Sequence, residues 1–261
     1  MSGGNLSNHE VSTDVIETLR KYDSPTISNV IELFDLRPRT AGYVDSTVKA
    51  LFPEMPAVVG FASTATLHAS KPAENGHQTS FESQIEALSE LPAPRIVVCQ
   101  DLDSPPAAAT FGEVMCSVYQ RFGCAGVITT GCGRDIDAVR KLGFAAFACS
   151  ICVSHGYSHF EDLHKPVQVG GLTIRPGDLI HADANGIVVI PTEIAKEVAQ
   201  ACPAYLESEQ IILHYLKSAK VNIEGLQGAF DQHASSILEI PKRVCAKSNV
   251  AAIENEENGL I

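Results

Sequence analysis

The chain has 261 residues, 45% of them hydrophobic and 19% charged, with a formal net charge of −12. That length and apolar content support one large domain with a real core. The acidic excess excludes a surface that tracks phosphate backbones, so nucleic acid is ruled out as a partner, and a small acidic ligand would need local help from arginine or a metal.

Residues 1 to 10 read as a frayed polar end. No basic start or apolar signal segment follows Met1, and no uninterrupted apolar stretch approaches about 18 residues. The expectation is a soluble cytoplasmic protein with no membrane partner. From Ser12, the spacing of Val15 and Leu19 predicts a helix capped by Ser12 or Thr13, broken over Asp23 to Ser28. A second helix is expected from about Thr26 to Leu33, and these two form an N-terminal clasp. From Val48 to Thr66 the chain turns β-like, with β-branched residues among small ones. A polar loop over 70 to 78 precedes a helix from Ser80 to Ser89, and Ile96 to Asp101 is a short buried strand ending in the turn Asp103-Ser-Pro-Pro. Phe111 to Phe122 has helical spacing, followed by strand 126 to 130, a Gly-Cys-Gly corner, helix 136 to 142 and strand 145 to 153. Strand, helix, strand in that order argues for parallel pairing and an α/β class.

Ser154 to Pro166 reads as a loop rich in histidine and aromatic residues. Val167 to Ile174 is a hairpin over two glycines, Arg175 to Asp178 a tight turn, and Leu179 to Asp183 with Ile187 to Ile190 a second hairpin. Pro191 opens a long helix to about Lys217, which Pro203 should kink or restart. The tail from Val221 shows less pattern. Residues 12 to 220 are therefore one domain, and 221 to 261 a C-terminal extension.

The eight cysteines sit mostly in apolar runs and are expected to be buried, reduced thiols. Cys149 and Cys152 have the spacing of a zinc or redox half-site, but no second C-x-x-C accompanies them.

The chemistry-bearing stretch is Gly126 to Asp135, where a strand runs through Gly131-Cys132-Gly133 and delivers Arg134 and Asp135 to a helix start. A guanidinium can clamp a carboxylate while the neighbouring aspartate holds a divalent metal. Taken alone, the pair equally fits a solvated surface contact with Asp135 as a helix cap. Gly112, Glu113, Val114 and Met115 stand at another helix start, where free N–H groups favour an anion; the plain alternative is Glu113 complementing the helix dipole. Twenty residues separate Glu113 from Arg134, enough for a helix and a strand to return the chain to the same sheet edge.

The pattern Gly-Glu-x20-Arg-Asp, preceded by Gly126-Val-Ile-Thr-Thr-Gly-Cys-Gly133 and followed by Arg140-Lys-Leu-Gly-Phe144, resembles the RraA-like proteins and 4-hydroxy-4-methyl-2-oxoglutarate aldolases. Residues 167 to 191 resemble the same family, and the likeness covers roughly residues 20 to 218. It implies a compact α/β sandwich with a mixed sheet, N-terminal helices and a C-terminal helix, assembled as homotrimers or hexamers with active sites at subunit interfaces. It also implies a class II lyase that cleaves a small 2-oxo acid to pyruvate, as aldolase or oxaloacetate decarboxylase. In that family Gly112 to Met115 would donate N–H groups to the pyruvyl group and Arg134 would bind substrate. Asp135 would ligate Mg²⁺ or Mn²⁺ largely through waters, with Glu113 ordering metal-bound water. A glutamate of a neighbouring subunit, Glu207 or Glu209, would complete the site.

The sequence departs from the family in one place: the acid usually found three residues after the metal aspartate is Ala138 here, with Asp137 one residue earlier. His155 and His159 could face the pocket, contacting a substrate tail or donating a proton, or could form a polar loop or subunit contact. The rival function is that of the RraA proteins themselves, protein-binding regulators of a ribonuclease that need no catalysis.

Overall fold

The computed structural model describes residues 11–74 and 79–258, so the end at 1–10 and part of the polar loop at 70–78 lie outside the described residues. The N-terminal clasp is α1 (Thr13–Leu19) and α2 (Ser24–Glu32). Ser12 Oγ accepts the Val15 N–H, and Asp23 Oδ1 accepts the Thr26 N–H with proline in the first turn, so each helix starts at a side-chain cap. Then come β1 (Lys49–Ala50), β2 (Val58–His68), α3 (Phe81–Leu88), β3 (Arg95–Asp101), β4 (Ala109–Phe111), α4 (Glu113–Arg121) and β5 (Cys124–Thr129). The corner contributes β6 (Cys132–Gly133) and leads to α5 (Ile136–Leu142), β7 (Ala145–Ala148) and β8 (Ser150–Ile151). The remainder is β9 (His159–Leu163), β10 (Val167–Val169), β11 (Leu172–Ile174), β12 (Leu179–Asp183), β13 (Gly186–Ile190), a 3-10 turn at Thr192–Ile194, α6 (Ala195–Leu216) and α7 (Ile223–Asn258).

The main sheet runs β1-β7-β5-β3-β2-β12-β13, with β9 also on β2. The pairs β2–β3, β3–β5 and β5–β7 are parallel and the outer pairs antiparallel, giving a mixed α/β sheet. Alternation across β3, β5 and β7 sends Val97, Val127 and Ala146 into one core under α4 and α5, and Ile96, Val98 and Ile128 into another under the β10–β11 hairpin. Each fully buried aliphatic or aromatic side chain there contributes about 1.5–3 kcal/mol. The hairpin's turn has Gly170 at φ 46° and Gly171 at φ 73°, the left-handed pair that a two-residue turn requires. On the other side, α1, α2, α6 and α7 close over Val59, Phe61, Leu179 and Ile190. His181, fully buried on β12, binds α2 to the sheet: Ser24 Oγ lies 2.9 Å from its Nδ1 and Tyr22 O 2.9 Å from its Nε2, while Asp183 accepts the Ser24 N–H.

Four sequence expectations change. The stretch 145 to 153 is not one strand: it breaks at Cys149, and β8 joins β4 and β6 in a separate three-stranded parallel sheet. The loop at 154 to 166 contains β9, which is charged and unpatterned but fills the edge left on the second half of β2, where β12 no longer runs. The helix after Pro191 passes through Pro203 without restarting, because packing on α1, α2 and α7 outweighs a penalty of about 3 kcal/mol. The tail is a long helix packed on α6, with Ile240 and Val244 in the same core as Val198 and Cys202. Its apolar stripe, Leu226, Ala229, Ile237, Ile240 and Val244, follows helical spacing but is diluted by His233 and interrupted by Pro241.

Candidate functional site

The small sheet decides the geometry. Pairing of Ala109 with Cys132 and of Phe111 with Gly133 in parallel register sets the next residues, Gly112 and Arg134, side by side at the same edge. The Arg134 N–H donates to Phe111 O at 3.0 Å and closes the junction. Hydroxyls brace the corner from behind: Thr129 Oγ1 accepts the Gly131 N–H at 2.9 Å and lies 3.1 Å from Thr110 Oγ1, and Thr130 Oγ1 accepts the Asp101 N–H at 2.8 Å. Asp101 is itself buried, which raises its pKa, and its Oδ2 has no partner among the described residues.

Asp135 is the N-cap of α5 with φ 56° and ψ 38°, a left-handed backbone that costs a non-glycine residue on the order of 1 kcal/mol. That conformation brings its Oδ2 to 3.1 Å from the Glu113 N and 3.6 Å from Arg134 Nε. The carboxylate thus sits between the start of α4 and the guanidinium. Gly112 makes the approach possible, since a Cβ there would overlap Asp135 Oδ2 and lie 3.1 Å from Arg134 Cγ and Nε. Among the described residues, the Val114 and Met115 N–H groups of the first turn have no acceptor. Arg134 and Asp135 side chains are 35% and 43% exposed, open enough to meet a ligand.

These residues surround a cavity of about 70 Å³, lined by Gly112, Val114, Met115, Arg134, Asp135 and His155 among others. Glu113 is exposed and joins the corner through its backbone N–H. The sequence candidates Gly112, Glu113, Val114, Met115, Arg134 and Asp135 are therefore brought together. His155 joins them and its ring has no hydrogen-bond partner among the described residues, whereas His159 lines an adjoining cavity. Ser158, which no sequence signal marked, lines both cavities. Asp137 turns away from the corner to Arg140 at 3.1 Å and is 88% exposed. Glu207 and Glu209 lie on α6, which packs on α1, α2 and α7, none of them elements of the corner.

The donor set bears on which metal the corner fits. Among the described residues no group of three His, Cys, Asp or Glu side chains can hold a metal ion. Asp135 leaves Oδ1 without a partner among the described residues, and Glu113, whose backbone N–H meets Oδ2, is exposed. A single partly exposed carboxylate fits a hard divalent cation that keeps most of its waters, and does not fit a closed zinc site. Cys132 lies against Cys149 and Cys152. Five of the eight cysteines are buried, including Cys132, whose thiol burial pushes up to about 12; Cys149 and Cys152 are half-buried and Cys245 is exposed.

Fold and corner together define an α/β protein whose parallel strand ends present an arginine–aspartate pair to a helix N-terminus. Residues 25–189 match the RraA-like family, described as Aldolase/RraA, and the chain belongs to that family. "Protein DlpA" of Legionella pneumophila is 26% identical over 136 residues, 51% of this chain but only 22% of that protein's length. A protein of Ectopseudomonas mendocina named "Putative 4-hydroxy-4-methyl-2-oxoglutarate aldolase" is 31% identical over 115 residues, 43% of this chain and 70% of its own. Among solved structures, Streptomyces coelicolor RraAS2, titled an unusual member of the RNase ES inhibitor RraA protein family, superposes with a TM-score of 0.62 at 24% identity, covering 77% of this chain and 96% of its own. That likeness establishes the fold. Among the described residues, no helix is long and apolar enough to cross a membrane.

Proposed function

We propose that this chain is a divalent-metal-dependent lyase that cleaves a carbon–carbon bond of a small 2-oxo acid and releases pyruvate, as a 4-hydroxy-4-methyl-2-oxoglutarate aldolase, an oxaloacetate decarboxylase or both. The observation that carries the reading is the Asp135 carboxylate held between the Glu113 amide and the Arg134 guanidinium at an open helix start. A protein-binding module has no use for that arrangement. The curated relative's name supports the substrate class.

The free Val114 and Met115 N–H groups and the α4 dipole receive the substrate carboxylate. Arg134 adds a fixed positive charge with no proton to lose. Asp135 would hold Mg²⁺ or Mn²⁺, and Glu113 would order water beside it. The cation, when bound, supplies Lewis-acid stabilisation of the charge that develops on the 2-keto oxygen. Cleavage leaves the electron pair on C3 as the pyruvate enolate, with CO₂ or a carbonyl compound departing. His155, free and facing the cavity, is the group assigned to take a 4-hydroxyl proton and to return a proton to C3. Val114, Ile151, Val153 and Tyr157 are exposed on or beside the elements that carry the corner, which supports assembly of homotrimers or hexamers with the site at a subunit boundary, where Glu207 or Glu209 of another copy could reach it.

The test is pyruvate release from oxaloacetate and from 4-hydroxy-4-methyl-2-oxoglutarate, with Mg²⁺ or chelator, in wild type and Asp135→Ala. The substitution should lower turnover at least about 100-fold, near 2.7 kcal/mol of barrier. Turnover indifferent to chelator would reject the metal mechanism, and no turnover of either substrate would leave the regulator reading.

A further inference from the structure

The small cavity at the corner adjoins a larger one of about 290 Å³, and Met115 and Ser158 line both. Most of the larger cavity's wall is apolar, from Leu67, Phe81, Met115 and Phe160, and no lysine or arginine lines it among the described residues. His159 also lines it. Its Nδ1 is 2.9 Å from Tyr157 O, a carbonyl that can only accept, so Nδ1 carries a proton spent on the backbone. The helix start that reaches this cavity is already complemented: Ser80 Oγ accepts the Ser83 N–H and Glu82 occupies the first turn of α3. A carboxylate in this space would meet hydroxyls such as Thr110 and Ser158 and no lysine or arginine among the described residues, so its charge would be only partly compensated against the apolar wall.

We infer that the preferred 2-oxo acid carries, beyond the bond that is cleaved, an uncharged and largely apolar substituent seated in this larger cavity. The inference rests on the corner being the pyruvyl site. Size agrees, since an apolar cavity of about 150 Å³ already takes benzene. A phenyl-sized tail therefore fits with room for a hydroxyl near His159 or Ser158. The fold thus separates two tasks, with charge recognition at Arg134 and α4 and apolar recognition behind Met115.

The experiment compares kcat/KM for pyruvate release, with Mg²⁺, from oxaloacetate, 4-hydroxy-4-methyl-2-oxoglutarate and 4-hydroxy-2-oxo-4-phenylbutanoate. Wild type should favour the phenyl substrate over the charged-tail substrate by about tenfold or more, the scale on which apolar pockets discriminate. Thr79→Arg, which puts a guanidinium on the wall of the larger cavity, should reduce that ratio by a further order of magnitude. Equal use of the two tails by wild type, or preference for the charged one, overturns the inference. Turnover of oxaloacetate with none of the phenyl substrate overturns it while leaving the corner's assignment standing, and pyruvate from no substrate overturns both.

Discussion

Replacing Gly112 with alanine adds one methyl at the point where two chain segments touch. Its backbone, at φ −152° and ψ −169°, is extended and accepts any residue, so the substitution carries no conformational penalty. The added carbon would overlap Asp135 Oδ2 and crowd Arg134 at 3.1 Å, against an ordinary contact distance of about 3.5 Å. The overlapping atom is the end of the Asp135 side chain, so the fold absorbs the methyl by moving the carboxylate on the order of 1 Å, and a misplacement of that size costs roughly 100-fold in rate. Gly112→Ala should therefore lose about two orders of magnitude in kcat/KM for pyruvate release, near 2.7 kcal/mol, while its unfolding free energy changes by less than about 1 kcal/mol. Paired steady-state kinetics and urea denaturation check both halves. Activity within threefold of wild type would refute the claim that the Gly112–Asp135 approach is what sets the site.

Two further outcomes concern the scaffold. Burial lowers the His181 pKa, with Asp183 opposing in part. A base held neutral in the fold takes up a proton more readily when unfolded, so its contribution is complete above the unfolded value of about 6.5 and declines as pH falls from there to the folded value. Stability measured from pH 7.5 to 5.5 should drop in wild type and drop less steeply in His181→Gln; parallel slopes would remove His181 as the cause. Ile240, 2% exposed, packs α7 into the core shared with α6. Ile240→Ala should cost about 2–4 kcal/mol in urea unfolding, whereas a loss near zero would mean that the tail helix is energetically separate.

Where local chemistry suffices, the elements were legible from the residues. Capped helices at 13–19 and 81–88 and the glycine-turned hairpin at 167–174 each carry their own start, stop or turn signals. The corner was legible for a different reason: the interval between Glu113 and Arg134 holds one helix and one strand, and right-handed parallel crossover returns such a unit to its own edge. The small sheet of β4, β6 and β8 was not, because segments of two or three residues have no period to read. β9 was hidden likewise, being a strand only because β2 offers it an unpaired edge. Ser158 and the larger cavity left no trace in the sequence.

By itself the amino-acid sequence determined the α/β class, the two helix starts and the identities of Arg134, Asp135 and Glu113, since propensity, capping and charge are properties of neighbouring residues. Only the tertiary structure decided that Asp135 faces the Glu113 amide, that His155 and His159 line different cavities, and that an apolar chamber opens behind Met115. Those outcomes depend on strand register and on which surfaces meet across separations of twenty residues and more. No local pattern encodes them, because the free energy that selects them comes from burial shared between distant segments.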